Sequence, residues 1–244
     1  YKTYILSNYF PTDTDTKTPL QYKTLPSGYG YIKITCEPGA GDADYEEFVR
    51  LYKTAMKTFT DKGVPGIILD LRRNNGGSED TAAWMAGFFY SEKTHYQSIN
   101  LYNSESGKFE VSEHIDIEPQ SSYYGGQVVV MVGPGCLSSG EGFAMAIQKL
   151  PNARVISFYA SNGSFGISNA AVNMPGGFIV NFPKGQSLDE KGLIQIDGDK
   201  TGNGGVMPDV RVPLTEATVR AVYAEGKDPE LDFAVETLTG ARSN

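Results

Sequence analysis

The sequence predicts an α/β domain built on a mixed sheet. Three observations carry that expectation. Short apolar runs at Gly66–Arg72 and Val128–Val132 suit strands buried on both faces. Each run leads, through a Gly-rich turn, into a segment with helix-start signals, and strands alternating with helices imply parallel β-α-β units. Two further β-favouring runs lie close together around Pro175-Gly176-Gly177, which adds a hairpin and makes the sheet mixed.

Each element has its own justification along the chain. Residues 1–27 are rich in Thr, Asp and Tyr and punctuated by Pro11, Pro19 and Pro26, so they read as an extended lead-in or linker remnant. Residues 28–244 read as one domain with one core. Tyr29–Thr35 alternates and favours a strand. Tyr45, Phe48, Val49, Tyr52, Ala55, Met56 and Phe59 recur at helical spacing, with Asp42 or Asp44 as the cap and Gly63 with Pro65 as the stop. Ser78 caps a second helix, about Glu79 to Tyr90. The third helix, about Ser139 to Leu150, follows the second apolar run. Val155–Phe158, Ala170–Met174 and Phe178–Phe182 are further strands. Short helices near Glu216–Ala224 and Glu230–Leu238 close the chain.

Composition excludes several function classes. The chain has 244 residues and a net charge of -8, with a pI near 4.9, which argues against nucleic acid and anionic membrane as partners. The longest apolar stretches are too short to span a bilayer. The chain opens at Tyr1 without a Met, a basic segment or an apolar leader, and reads as a fragment or processed form. Cys36 and Cys136 are expected to be free thiols. Two separated histidines and two separated cysteines offer no metal-ligand spacing, and no cofactor is expected.

Two strand-to-loop junctions carry chemistry. In Asp70-Leu-Arg-Arg-Asn-Asn-Gly-Gly77 a buried strand runs into a turn whose glycines permit positive φ and free N–H groups. In Val130–Phe143 a strand ends in a Gly/Pro bend, and Ser138-Ser139 opens a helix. A serine there stands at the positive end of the helix dipole, beside unsatisfied N–H groups. That suits a nucleophile whose oxyanion must be stabilised. Ser138-Ser139-Gly140-Glu141 also reads as a plain helix cap with an acidic first turn.

The same residues resemble peptidase family S41. The chain supplies Asp70–Gly77, Ser138–Glu141, Gly163-Ser-Phe-Gly166 and Gly205-Val-Met-Pro-Asp209 in the family's order, and Lys227–Ala234 is similar to its closing helix. The likeness covers about Gly28 to Leu238. It implies a ClpP/crotonase-like β-α superhelix and a serine peptidase of extended polypeptide, of the C-terminal-processing kind, with a periplasmic, cell-surface or secreted location. Ser138 takes the nucleophile's place. The N–H groups of Ser139 and of Gly76 or Gly77 would form the oxyanion hole, Glu141 would brace the helix start, and Ser164 would sit near the base.

The chain departs from the family at that base. The lysine of the processing proteases is replaced by Ile167, which accepts no proton. In the tricorn-like branch the corresponding acid's place holds Gly202 and Asn203. The substitute bases to consider are a group from a region upstream of this chain, or Lys33, Lys184, His95 or His114, each of these four also readable as a surface residue. The alternative to an enzyme is a degenerate module that binds peptides without cutting them. A crotonase-like acyl-CoA enzyme is a more distant reading.

Overall fold

A computed structural model of the protein describes residues 18–196 and 204–240. Its main sheet runs in the order β1 (Leu20–Thr24), β2 (Gly30–Ile34), β3 (Gly66–Asp70), β6 (Gln127–Met131), β7 (Ala153–Ser157) and β10 (Val210–Arg211). β1 is antiparallel to β2 and the other neighbours are parallel, so the sheet is mixed, as expected, but through β1 and not through the hairpin around Pro175-Gly176-Gly177, which lies outside this sheet. β1 lies inside the stretch expected to be a lead-in, where it forms the sheet edge beside β2.

Both apolar runs are buried on two faces. Ile67, Leu69, Val128 and Val130 point into one apolar layer, while Ile68, Val129 and Met131 point into the other. This is the two-residue period of a strand expressed twice over. The expected single core is thus two layers with the sheet between them. Helix α1 (Tyr45–Lys62) covers the first layer with Phe48, Tyr52, Ala55, Met56 and Phe59, all fully buried. Each such large side chain contributes about 1.5–3 kcal/mol of apolar transfer. Helix α1 starts at Asp44 without a side-chain cap bond, and Gly63 closes it in the left-handed conformation at φ 60°.

Helix α2 (Glu79–Ala86) begins at Ser78, whose hydroxyl accepts the Thr81 N–H. It ends four residues earlier than the sequence suggests. The carbonyls of Gly87 and Phe88 instead accept N–H bonds from Gln120 and Tyr124. Helix α3 (Ser139–Gln148) follows β6, α4 (Glu216–Tyr223) and α5 (Pro229–Leu238) close the described chain, and α5 packs on the second layer through Phe233 and Ala234.

A second, fully antiparallel sheet has the order β5 (Lys108–Ile117), β4 (Thr94–Asn103), β9 (Ile179–Leu188), β8 (Ile167–Asn173). The β8–β9 hairpin is the one expected. The β4–β5 hairpin has no counterpart among the sequence-derived elements, although Phe109, Val111, Ile115 and Ile117 of β5 fall at two-residue spacing. No helix among the described residues is long and apolar enough to cross a membrane.

Candidate active site

Parallel strands β2, β3 and β6 finish at one edge of the sheet, and the segments that leave them meet there. Glu37 follows β2, Asn74–Gly77 follow β3, and Ser138 follows β6. Open α/β sheets offer ligand sites at such carboxyl ends of strands.

Ser138 occupies the N-cap position of α3 with φ 55° and ψ -131°. A non-glycine residue at positive φ is uncommon and holds about 1–3 kcal/mol of strain. A strained serine between a strand and a helix stands clear of its own backbone. Gly76, at φ 80°, lies directly against it: a Cβ there would fall 2.5 Å from the Ser138 Cβ and 3.2 Å from its Oγ. Only glycine fits this approach.

The two glycines differ as donors. The Gly76 N–H already donates to Asn74 Oδ1 at 2.8 Å, so Gly76 meets the serine through its Cα. Gly77 is bridged by Glu37 through its neighbours, with Glu37 N–H donating to the Gly76 carbonyl and Ser78 N–H donating to the Glu37 carbonyl. That pattern leaves the Gly77 N–H outside the ladder. Ser139, fully buried, is the first residue of α3, where N–H groups lack an intrahelical partner.

Glu141 is fully buried and braces the region from within. Its carboxylate accepts the N–H of Ser138 (3.2 Å), Gly163 (2.6 Å) and Ser164 (2.8 Å) and the Ser161 hydroxyl (2.5 Å). Ser161 Oγ in turn accepts the Val206 N–H at 2.6 Å. Helix α3, the 161–164 loop and the segment at Val206 therefore share one anchor. Ser164 itself is exposed.

The motifs in the sequence do not disclose Glu37, Glu79 or Tyr96. Glu37, 1% exposed, accepts Asn74 Nδ2 at 2.5 Å and the Ser139 hydroxyl at 2.8 Å. Burial pushes its carboxyl up to about 7, against the pull of those two bonds. Burial, then the nearby Glu37 charge, pushes Glu79 up to about 8, while the Tyr96 hydroxyl donates to it at 3.2 Å. A carboxylate directly after a buried strand, level with an Asn-x-Gly-Gly turn after the next strand, is the available signal for Glu37.

The substitute bases lie elsewhere. Lys33 is buried, not on the alternating surface expected of it, because both faces of β2 are covered; it lines a cavity with Asp70, Arg72 and Arg73. Lys184 is exposed. His95 Nε2 and His114 Nδ1 both bond Ser98 Oγ, at 2.9 and 2.8 Å, on the second sheet. No lysine or histidine among the described residues bonds the Ser138 hydroxyl. Ile167 opens β8 as a buried apolar side chain. Gly202 and Asn203 lie outside the described residues. Cys36 and Cys136 are both free. Among the described residues no group of three or more His, Cys, Asp or Glu is placed to hold a metal ion.

The chain is 25% identical over 217 residues to the tricorn protease of Thermoplasma acidophilum, covering 86% of the chain but only 16% of that protein. Its fold is similar to a candidate peptidase of Parabacteroides merdae (TM-score 0.68, 21% identity, 100% of this chain and 72% of the other). It is also similar to the photosystem II D1 C-terminal processing protease (TM-score 0.58, 18% identity, 89% and 55%). The model of peptidase family S41 matches residues 28–212, across β2 to β10 and every residue of the site just described. The chain belongs to peptidase family S41.

Proposed function

We propose that the protein is a serine-type peptidase acting on extended polypeptide, with Ser138 as nucleophile. Family membership supports the peptidase function, and the strained Ser138 with Gly76 packed on it is the observation that carries the serine assignment. Ser138 Oγ attacks the scissile carbonyl, and its proton leaves to a base as the C–O bond forms. The N–H groups of Ser139 and Gly77 receive the negative oxygen, each such donor supplying about 2.7–4 kcal/mol in the transition state. Collapse expels the amine, and water then releases the acyl group. Glu141 holds the serine and the Ser164 loop in place and takes no part in proton transfer.

The substrate lies along β8 in this reading. β8 is the outer strand of its sheet and begins one residue after Gly166, close to the Glu141-bound loop. An edge strand offers main-chain bonds to an added extended peptide. C-terminal processing is the finer expectation, with a periplasmic, cell-surface or secreted location, supported by the family likeness. The second reading, a peptide-binding module without turnover, is favoured by Ile167 at the lysine's place.

Labelling with a fluorophosphonate and mass mapping test the assignment. A single adduct on Ser138, lost in Ser138→Ala, is the expected result. No adduct on Ser138 in folded protein, together with retained peptide binding, would replace the enzyme by the binding module.

A further inference from the structure

We propose that Glu37 is a positioning residue of this site: its carboxylate fixes the Asn74 amide and the Ser139 hydroxyl, and so holds the Gly76–Gly77 turn against Ser138. The proposal deepens the serine-peptidase reading and rests on it.

The chain of contacts starts with Asn74. Its Nδ2 donates to Glu37 and its Oδ1 accepts the Gly76 N–H. An amide flipped the other way would set oxygen against carboxylate and NH2 against N–H, two repulsive contacts in a buried place. Glu37 therefore decides the flip of Asn74, and Asn74 decides the setting of the Gly76 peptide. The Asn74 carbonyl also accepts the Leu137 N–H at 3.0 Å, one residue before the nucleophile. The main chain of Glu37 brackets the same turn, donating to the Gly76 carbonyl at 3.3 Å and accepting the Ser78 N–H at 2.7 Å. A Cβ on Gly77 would run into the Glu37 backbone, so nothing but glycine allows this contact.

The second carboxylate oxygen reaches Ser139, whose N–H is a proposed oxyanion donor. Ionised Glu37 accepts the Ser139 hydroxyl. Protonated Glu37 donates to Ser139 Oγ instead and keeps its other oxygen on Asn74. One proton thus reverses the Ser139 rotor and removes a negative charge from behind the oxyanion donors. The groups facing Glu37 are Glu79 from α2, Tyr96 from β4, Cys36 beside it, and Cys136 from the loop before α3. Its own shift is set by burial, against the bonds from Asn74, Ser139 and its own backbone N–H, with no cation among the causes.

The test uses the whole chain as wild type, Glu37→Gln and Glu37→Ala. Two readouts are followed from about pH 5.5 to 9: the fluorophosphonate labelling rate of Ser138, and NMR shifts with hydrogen exchange of the Gly76 and Ser139 amides. Glu37→Gln keeps the Asn74 bond through its carbonyl oxygen and places its NH2 on Ser139 Oγ. It should label within about threefold of wild type but lose the inflection near neutral pH. Glu37→Ala should label about tenfold more slowly or worse and exchange Gly76 about tenfold faster, with the β3 and β6 amides still protected; loss of a charge-assisted bond has that size. An unchanged Gly76 exchange in Glu37→Ala, or the same inflection in Glu37→Gln, would overturn the proposal. Should Glu37→Ala fail to fold, Glu37→Met, which fills the same buried space without a carboxylate acceptor, carries the same Gly76 exchange readout. Wild type that never labels would end the nucleophile reading, while amide shifts and exchange would still decide the role of Glu37.

Discussion

Replacing Glu141 by glutamine should cost far more than an isosteric change usually does. The two carboxylate oxygens have fixed clients: Oε1 takes the Ser161 hydroxyl and the Gly163 N–H, and Oε2 takes the N–H groups of Ser138 and Ser164. A glutamine NH2 in the Oε2 place faces two N–H donors that cannot reverse. In the Oε1 place it faces the Gly163 N–H, and Ser161 must turn although its oxygen already accepts the Val206 N–H. At least one partly buried donor loses its acceptor in either orientation, which costs about 1–3 kcal/mol, and the remaining bonds lose their charge assistance. The total comes to about 3 kcal/mol, or roughly 6–12 °C in Tm for a domain of this size. Thermal unfolding by circular dichroism at about pH 7 measures it, with fluorophosphonate labelling on the same samples. A Tm within about 2 °C of wild type, with labelling intact, would show that the 161–164 loop and Ser138 do not depend on this anchor, since 1 kcal/mol already shifts Tm by about that much.

Ser138→Gly should raise stability by about 1 kcal/mol, since glycine adopts φ 55° without strain, while abolishing labelling; a loss of stability would argue against the strained backbone. Glu37 binds its proton more tightly folded than unfolded, so its contribution to stability is full below pH 4.5 and fades as pH rises through about 7. Wild type should accordingly lose on the order of 3 kcal/mol relative to Glu37→Gln between about pH 5 and 8.5, read from urea unfolding at both pH values. Arg72→Ala should destabilise by about 3–5 kcal/mol, because it leaves Asp70 and Glu230 buried without their cation; a chemical-denaturation midpoint near that of wild type would refute this.

Much of this molecule is legible in its amino-acid sequence. The buried runs that form β3 and β6 are plain there, since a strand covered on both faces needs an unbroken apolar run. Ser138 and the Gly76–Gly77 turn are recognisable because strand ends, glycines and helix starts leave local marks. What escapes is non-local. Glu37 looks like any acidic residue in a loop until β2 pairs with β3 and brings it to Asn74, 37 positions away. Gly76 looks like an oxyanion donor for the same reason, because its amide belongs to an Asn74 side chain whose orientation no motif records. The β4–β5 hairpin leaves a fainter mark, since the two-residue spacing of Phe109, Val111, Ile115 and Ile117 is broken at Glu113 and most of β5 is exposed.

Arg72 has a further consequence. Its guanidinium stands at the root of the Gly76–Gly77 turn, gripped by Asp70 from the same strand end and by Asp228 and Glu230 from the start of α5. Glu230 also holds the Phe158 N–H at the end of β7. Two of its three acidic partners are added to the growing polypeptide more than 150 residues after the arginine itself. Until they arrive, Asp70 alone of these three carboxylates holds the guanidinium. Any truncation before Asp228 therefore removes two of the three carboxylates that seat this guanidinium beside the proposed oxyanion turn.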